Sequence, residues 1–212
     1  MNTTVQKNEL IFDYSSGKLG EAKSLFVSMY LYLNSIAAKK ASIFDNFLAD
    51  SLMNLEDIPT KKLNFKDCIK EENVNHNISN QKLEQDDPLT KVVGNLDDLT
   101  WKPVYKGFKE FSLPVKDRDD IKLIKMDPGI SVPLHSHNGK EYILVLDGSF
   151  CDEYGEYKKG DLQINDQQIR HNPTSSKNEG CICLSITEND VVFFGRLGSI
   201  LNLFTFIKSF FK

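Results

Sequence analysis

Two histidines two residues apart, a glutamate four residues later and a third histidine thirty residues after that are the side chains of this chain best suited to chemistry. His135 and His137 lie in the stretch GISVPLHSHNGKEYILVLDG, which Glu141 continues, and His171 closes the stretch GEYKKGDLQINDQQIRH. In an extended strand a spacing of two points both imidazoles to one face, and Glu141 stands where the chain enters the next strand. Three imidazoles and a carboxylate form a mixed nitrogen and oxygen set. It suits zinc, iron, manganese, nickel or copper much better than calcium or magnesium. The competing view takes them as ordinary polar residues of a barrel, but three of the four histidines of the chain fall into this one pattern.

Those residues need strands to carry them, and the C-terminal half supplies the pattern. The runs IKLIKM (121–126), EYILVLDGSF (141–150), GDLQI (160–164), CICLSIT (181–187) and VVFF (191–194) are short and separated by Gly, Pro, Asn and Asp. That spacing predicts an all-β sandwich or barrel. In the fourth run Cys181 and Cys183 share one face of the strand, and Ile182, Leu184 and Ile186 the other. A redox-sensitive pair near the metal is one reading of the cysteines; two small buried apolar groups is the other, and the one favoured here. Alternate residues of one strand are poorly placed for an unstrained disulfide with each other.

The N-terminal part has the periodicity of helices. Ala22, Leu25, Phe26, Met29, Leu33, Ile36 and Ala37 predict an amphipathic helix over 19–37, and Ile43, Phe44, Phe47, Leu48 and Leu52 a second one. Glu9 to Tyr14 predicts a short helix ended at Ser15, Ser16 and Gly17, and Leu63, Phe65, Cys68 and Ile69 suggest another. Residues 1–72 thus form a small helical module, 73–88 a polar linker that contains His76, and 89–196 the metal-binding domain. Residues 197–212, with SILNLFTFIKSFFK, are expected to form an apolar helical tail packed on the barrel or on a second subunit, which would make a homodimer. The fold class is α+β.

Composition limits the functions. A chain of 212 residues that is 40% hydrophobic has enough apolar content for a core. A formal charge of -4 argues against direct nucleic-acid binding, which rests on Lys and Arg contacts to phosphate. The start MNTTVQKNELIFDYSSGK lacks the features of a signal peptide, and no apolar run approaches the length of a bilayer span, so a cytoplasmic protein is expected. Four irregularly placed cysteines agree with a reducing compartment.

Gly129, His135, His137, Glu141 and Gly148, separated by five, one, three and six residues, resemble the first motif of the cupin superfamily at every position. Gly160, Asp161 and His171 resemble its second motif, with Asp166 and Gln168 where proline and glycine are usual and Ser175 where asparagine often stands. That resemblance implies a double-stranded β-helix, the jelly-roll barrel of cupins. Taken with ELIFDYSSGKLGEAKSLFVSMYLYL before the linker and HNPTSSKNEGCICLSIT in the barrel, the whole chain is similar to the ChrR-type anti-sigma factors.

In that family the helical module grips an extracytoplasmic-function sigma factor and usually carries a zinc, while the cupin lobe binds a second zinc and senses a signal. The resemblance therefore implies a sigma-factor partner, one zinc or alternatively iron, manganese or nickel in the cupin, and oxidative stress or a small ligand in the cupin as the signal. Val5, Tyr30, Asn34 and Ala37 stand where the family has two histidines and two cysteines, so no zinc is expected in the module. Packing alone is expected to hold it together, with Tyr30 filling part of the vacated volume. The reading leans away from an enzyme, for which a cupin dioxygenase with iron at the same four ligands is the alternative.

Overall fold

The structure is a computed structural model that describes residues 3–53 and 87–195. The short helix expected near 63–69, most of the linker with His76, Cys68, and the apolar tail lie outside the described residues. No helix among the described residues is long and apolar enough to cross a membrane.

Three helices open the chain: α1 (Thr3–Ser15), α2 (Glu21–Leu33) and α3 (Ser35–Met53). The first is longer at its start than its apolar pattern predicts, and it ends as expected, with Gly17 at a positive φ of 70° in the turn. The predicted break between the next two helices is corrected: they part at Asn34, not between residues 37 and 43. Asn34 has an extended backbone, and its Oδ1 accepts from the backbone N–H of Ala37 at 3.0 Å. It is therefore the N-cap of α3, a role for which Asn is among the preferred residues. Apolar periodicity runs through this position because both helices bury their stripes in one core, so the pattern by itself hides the break.

The rest is β-structure, preceded by a single turn of helix, α4 (Thr90–Val93). Its strands are β1 (Lys102–Tyr105), β2 (Phe108–Ser112), β3 (Asp120–Met126), β4 (His135–His137), β5 (Glu141–Asp152), β6 (Gly155–Lys158), β7 (Leu162–Asn165), β8 (Thr174–Ser175), β9 (Cys181–Thr187) and β10 (Val191–Phe193). The main sheet runs β1-β2-β3-β9-β5-β6, with β7 and β8 also paired to β5, and β10 pairs with β4 in a second sheet. Every pairing is antiparallel. The strand expected from residue 160 begins at Leu162, because Gly160, at a φ of 85°, and Asp161 make the turn out of β6. Strands β1, β2, β6 and β8 were not anticipated. β1 contains Pro103 and is exposed along its length, which is how an edge strand reads.

Alternation along β5 divides the molecule. Tyr142, Leu144 and Leu146 join Ile121, Leu123, Leu184 and Ile186 in one apolar cluster with Leu10, Ile11, Phe26, Val27 and Met29 of the helices. Ile143, Val145 and Phe150 join Met126, Cys181 and Cys183 in a second cluster. The helices thus cover the outer face of the sheet, and the other face lines the barrel interior.

Polar contacts fix both ends of α2 to the barrel. At its start, Asp117 of the β2–β3 loop accepts the free N–H of Ala22 at 2.9 Å, doing from a distance what no side chain at Gly20 does. A Cβ on Gly20 would come within 2.6 Å of Asp117 Oδ2, so glycine leaves room for the approach. Next to it Lys23 bridges Asp119 at 3.1 Å and Glu188 at 2.8 Å, with its ammonium 5.5 Å from the Tyr142 ring centroid. At its end, Asn34 Nδ2 donates to the carbonyl of Gly160 at 3.1 Å. Packing alone therefore does not hold the module, although Tyr30 and Ala37 are buried in its core as expected.

The backbone amides of Ala22 and Arg118 hold the Asp117 carboxyl below its ordinary value. Partial burial pushes Glu188 up, but Lys23 and the Lys140 amide bring it below the usual carboxylate range. Groups depressed in the folded state contribute stability above their unfolded pKa and lose it as pH falls through the folded value. We expect the melting temperature to drop as pH is lowered from about 4 towards 2, the range below unfolded carboxyl values near 4. The drop is expected to be smaller in Asp117→Asn, a comparison that differential scanning calorimetry makes directly.

Candidate metal centre

The four residues picked out by spacing converge. β4 presents His135 and His137, β5 begins at Glu141, and His171 forms an isolated antiparallel bridge with His135, exchanging backbone hydrogen bonds of 3.1 and 3.0 Å. That bridge closes the loop between β7 and β8 onto β4. All four side chains are buried, and each offers one ligand atom within 4.8 Å of all the others. His171 Nε2 lies 3.0 Å from His135 Nε2 and 3.3 Å from Glu141 Oε2, and His137 Nε2 lies 3.0 Å from that same oxygen. Ligands about 2.1 Å from a common ion sit roughly 3.0–3.4 Å from their neighbours in octahedral or tetrahedral geometry. The observed spacings match.

Hydrogen bonding prepares the ring nitrogens for that role. His135 Nδ1 lies 2.9 Å from the Pro133 carbonyl, an acceptor only, so Nδ1 carries the proton and the Nε2 lone pair faces the cluster. His171 Nδ1 lies 3.1 Å from Asp152 Oδ2. His137 is buried with its Nε2 facing the Glu141 carboxylate, and its Nδ1 has no hydrogen-bond partner. A cation at the centre of the four side chains would engage that Nε2 together with the carboxylate. Asn165 Nδ2 donates to Glu141 Oε2 at 3.0 Å and fixes the carboxylate. The residues present fit a divalent metal.

Electrostatics in the metal-free chain agree. Burial pulls the His135 imidazole down to about 4, so it is neutral at physiological pH. Burial acts the same way on His171, but Asp152 and Glu141 outweigh it and raise that imidazole to about 9. Burial alone would raise Glu141, yet His137 and His171 hold it well below the carboxylate range. In the metal-free chain the His171 imidazolium balances the Glu141 carboxylate, a role that a bound cation would take over.

Asp152, Gln163 and Asn165, which support the ligands, escaped the sequence reading. Asp152 looks like a turn residue of CDEYG, and the two amides lie in a strand whose inward face cannot be told from its outward one by residue type. The cysteines are placed differently. Cys181 and Cys183 are buried, 4.0 Å apart at sulfur, and Cys183 pairs with Val145, two pleats along β5 from Glu141. The neighbouring Cys181 thiol, together with burial, raises Cys183 well above its ordinary value, so it stays a thiol and not a reactive thiolate.

An antiparallel barrel with three imidazoles and a carboxylate clustered inside one end, and helices packed on its outer sheet, defines a helix-covered cupin-like fold. Comparison with known proteins agrees with that class. Residues 89–189 match the ChrR Cupin-like domain. The anti-sigma-E factor ChrR of Cereibacter sphaeroides is 34% identical over 118 residues, which is 55% of this chain and 55% of that protein. The matched stretch thus spans about half the length of that relative. The crystal structure of Rhodobacter sphaeroides SigE in complex with the anti-sigma ChrR superposes with a TM-score of 0.72 at 28% identity, covering 85% of this chain and 96% of the matched one. Residues 89–189 thus match the ChrR Cupin-like domain, and the chain as a whole, helices included, is similar in structure to ChrR.

The ligand assignment predicts the metal content of variants. We expect His171→Ala and His137→Ala to purify with far less than one equivalent of metal, while Cys183→Ala keeps the wild-type content. Elemental analysis by plasma mass spectrometry reads all three.

Proposed function

We propose that this protein is an anti-sigma factor: its helical module binds and holds inactive an extracytoplasmic-function sigma factor, and its cupin lobe carries a divalent cation, zinc above the alternatives, as part of a sensor. The observation that carries the reading is the structural likeness to an anti-sigma chain over nearly that whole chain, helices and barrel together. A cupin likeness alone would have left the function open.

The module has a surface for a protein partner. Ile36, Ile43 and Phe47 of α3, at a spacing that places them on one helix face, are 68%, 64% and 61% exposed. Large apolar groups exposed together mark an interaction site more often than scattered ones do. His135, His137, Glu141 and His171 would hold the cation, which supplies the positive charge that balances Glu141 and locks the three rings in one arrangement.

The layout also supports coupling between the two parts. Glu141 and Tyr142 are consecutive in β5 and face opposite ways, the first to the metal ligands and the second to the helices, where its ring lies 6.1 Å from that of Phe26. A change at the metal site is therefore one residue away from the seam that carries α2. For oxidant or small ligand to act as a signal, it must favour one arrangement of helices and barrel over another.

The test is co-purification of the tagged chain with candidate sigma factors of its own cell, with metal and oxygen uptake measured on the same preparation. We expect a complex with a dissociation constant of micromolar or below, about 8 kcal/mol of binding free energy or more. It should weaken in Ile43→Asp or Phe47→Asp. Failure to bind any of the cell's sigma factors at micromolar concentration, or iron with oxygen consumption on a diketone or thiol substrate, would overturn the proposal.

A further inference from the structure

Strand β5 does not keep its alternation. Its pairing with β9 runs in step from Glu141 opposite Thr187 to Val145 opposite Cys183, then resumes with Asp147 opposite Ile182 and Gly148 opposite Cys181. One extra residue, Leu146, is accommodated in a β-bulge. Before it, odd-numbered residues Glu141, Ile143 and Val145 face the barrel interior; after it, the even-numbered Phe150 does, in the same cluster as Val145 and Cys183. A bulge of one residue exchanges the two faces of everything that follows. Gly148 stands beside it at a φ of 66°, where a Cβ would collide with the Gly180 carbonyl, so that position of the motif needs glycine.

The consequence falls on Asp152. Eleven residues beyond Glu141 in one strand, it would point away from the interior in an unbroken strand, and with the bulge its fully buried side chain points in, 3.1 Å from His171 Nδ1. Gln163 Nε2, on the neighbouring strand β7, donates to the same Oδ2 at 2.6 Å, and the Tyr154 N–H caps Oδ1 at 2.9 Å.

We infer that Asp152, brought inward by the bulge and held by Gln163, is the positioning residue of the metal centre: it fixes the proton of His171 on Nδ1 and so presents Nε2 as the ligand. The inference rests on the proposal that the four residues bind a cation. An imidazole whose far nitrogen donates to a carboxylate is held in one tautomer and one rotamer, and is a more basic ligand than one bonded to water. β5 then supplies both carboxylates of the site, Glu141 at its start to touch the ion and Asp152 at its end to orient a ring that does.

Titration of full-length protein with Zn2+ against a chromophoric chelator tests this, together with side-chain 15N–1H correlation spectra of the zinc-loaded protein. Asp152→Asn keeps the shape of the side chain and removes its charge. It is expected to weaken zinc binding by roughly 10- to 100-fold, the usual effect of losing such a partner. It should also move the His171 Nδ1–H signal, which a purely structural residue would leave in place. Gln163→Met, which removes one support of Asp152, should change both readouts in the same direction but less, and it serves if Asp152→Asn does not fold. Zinc affinity within twofold of wild type in either folded variant, with an unmoved His171 signal, overturns the inference while the metal site stands. Wild-type protein that binds no zinc, nor any of the alternative metals, overturns the metal site itself.

Discussion

Glu141 is a carboxylate taken out of water at the end of a barrel, and burial of an unpaired charge costs several kcal/mol. The surroundings answer that cost with two imidazoles within 3.3 Å of its Oε2 and an amide donor from Asn165 at 3.0 Å. Satisfying it requires β4, β5, β7 and the loop that ends at His171 to meet at one point, so the closure of the barrel and the buried charge depend on each other. A cation held by the four side chains would add to that balance, between His137 Nε2 and the same carboxylate oxygen.

The same strands have a second surface, and the helices depend on it. Strands β3, β5 and β9 give their outward residues to a core shared with α1 and α2, so helices and barrel are one packed body among the described residues. The polar contacts at the seam are placed at the ends of α2, where helix geometry leaves backbone groups without partners. Asp117 meets the start, and Asn34 serves the end twice over, capping α3 and reaching Gly160. Asn34 occupies one of the positions that the resemblance assigns to a zinc ligand. Here the junction is fixed by hydrogen bonds to the barrel, and such a seam is softer than a metal cage because each bond contributes only about 1 kcal/mol net.

The inner face of the sheet carries the four clustered side chains and the outer face packs on the helices, so the two are separated only by residues that alternate across a single backbone. Cys181 and Cys183 contribute to this body as packing: both are buried and fill the interior beside Val145 and Phe150, and Cys183 is held as a thiol.

The sequence by itself picked out the four side chains that cluster, the strands that carry most of the barrel core and the helical start. His135, His137, Glu141 and His171 were legible because a short stretch of strand converts spacing directly into direction, and the α+β class followed from the change of apolar period. Tertiary structure alone decided the rest. Apolar periodicity passed through Asn34 without a mark, because the break there is made by a cap and by a carbonyl 126 residues away in sequence. Asp152 was invisible as an inward residue, since counting by twos along β5 gives the wrong face once a bulge intervenes, and the bulge is set by the match to β9. Local rules read what a residue's neighbours in the chain dictate; register and docking depend on partners that only folding brings near.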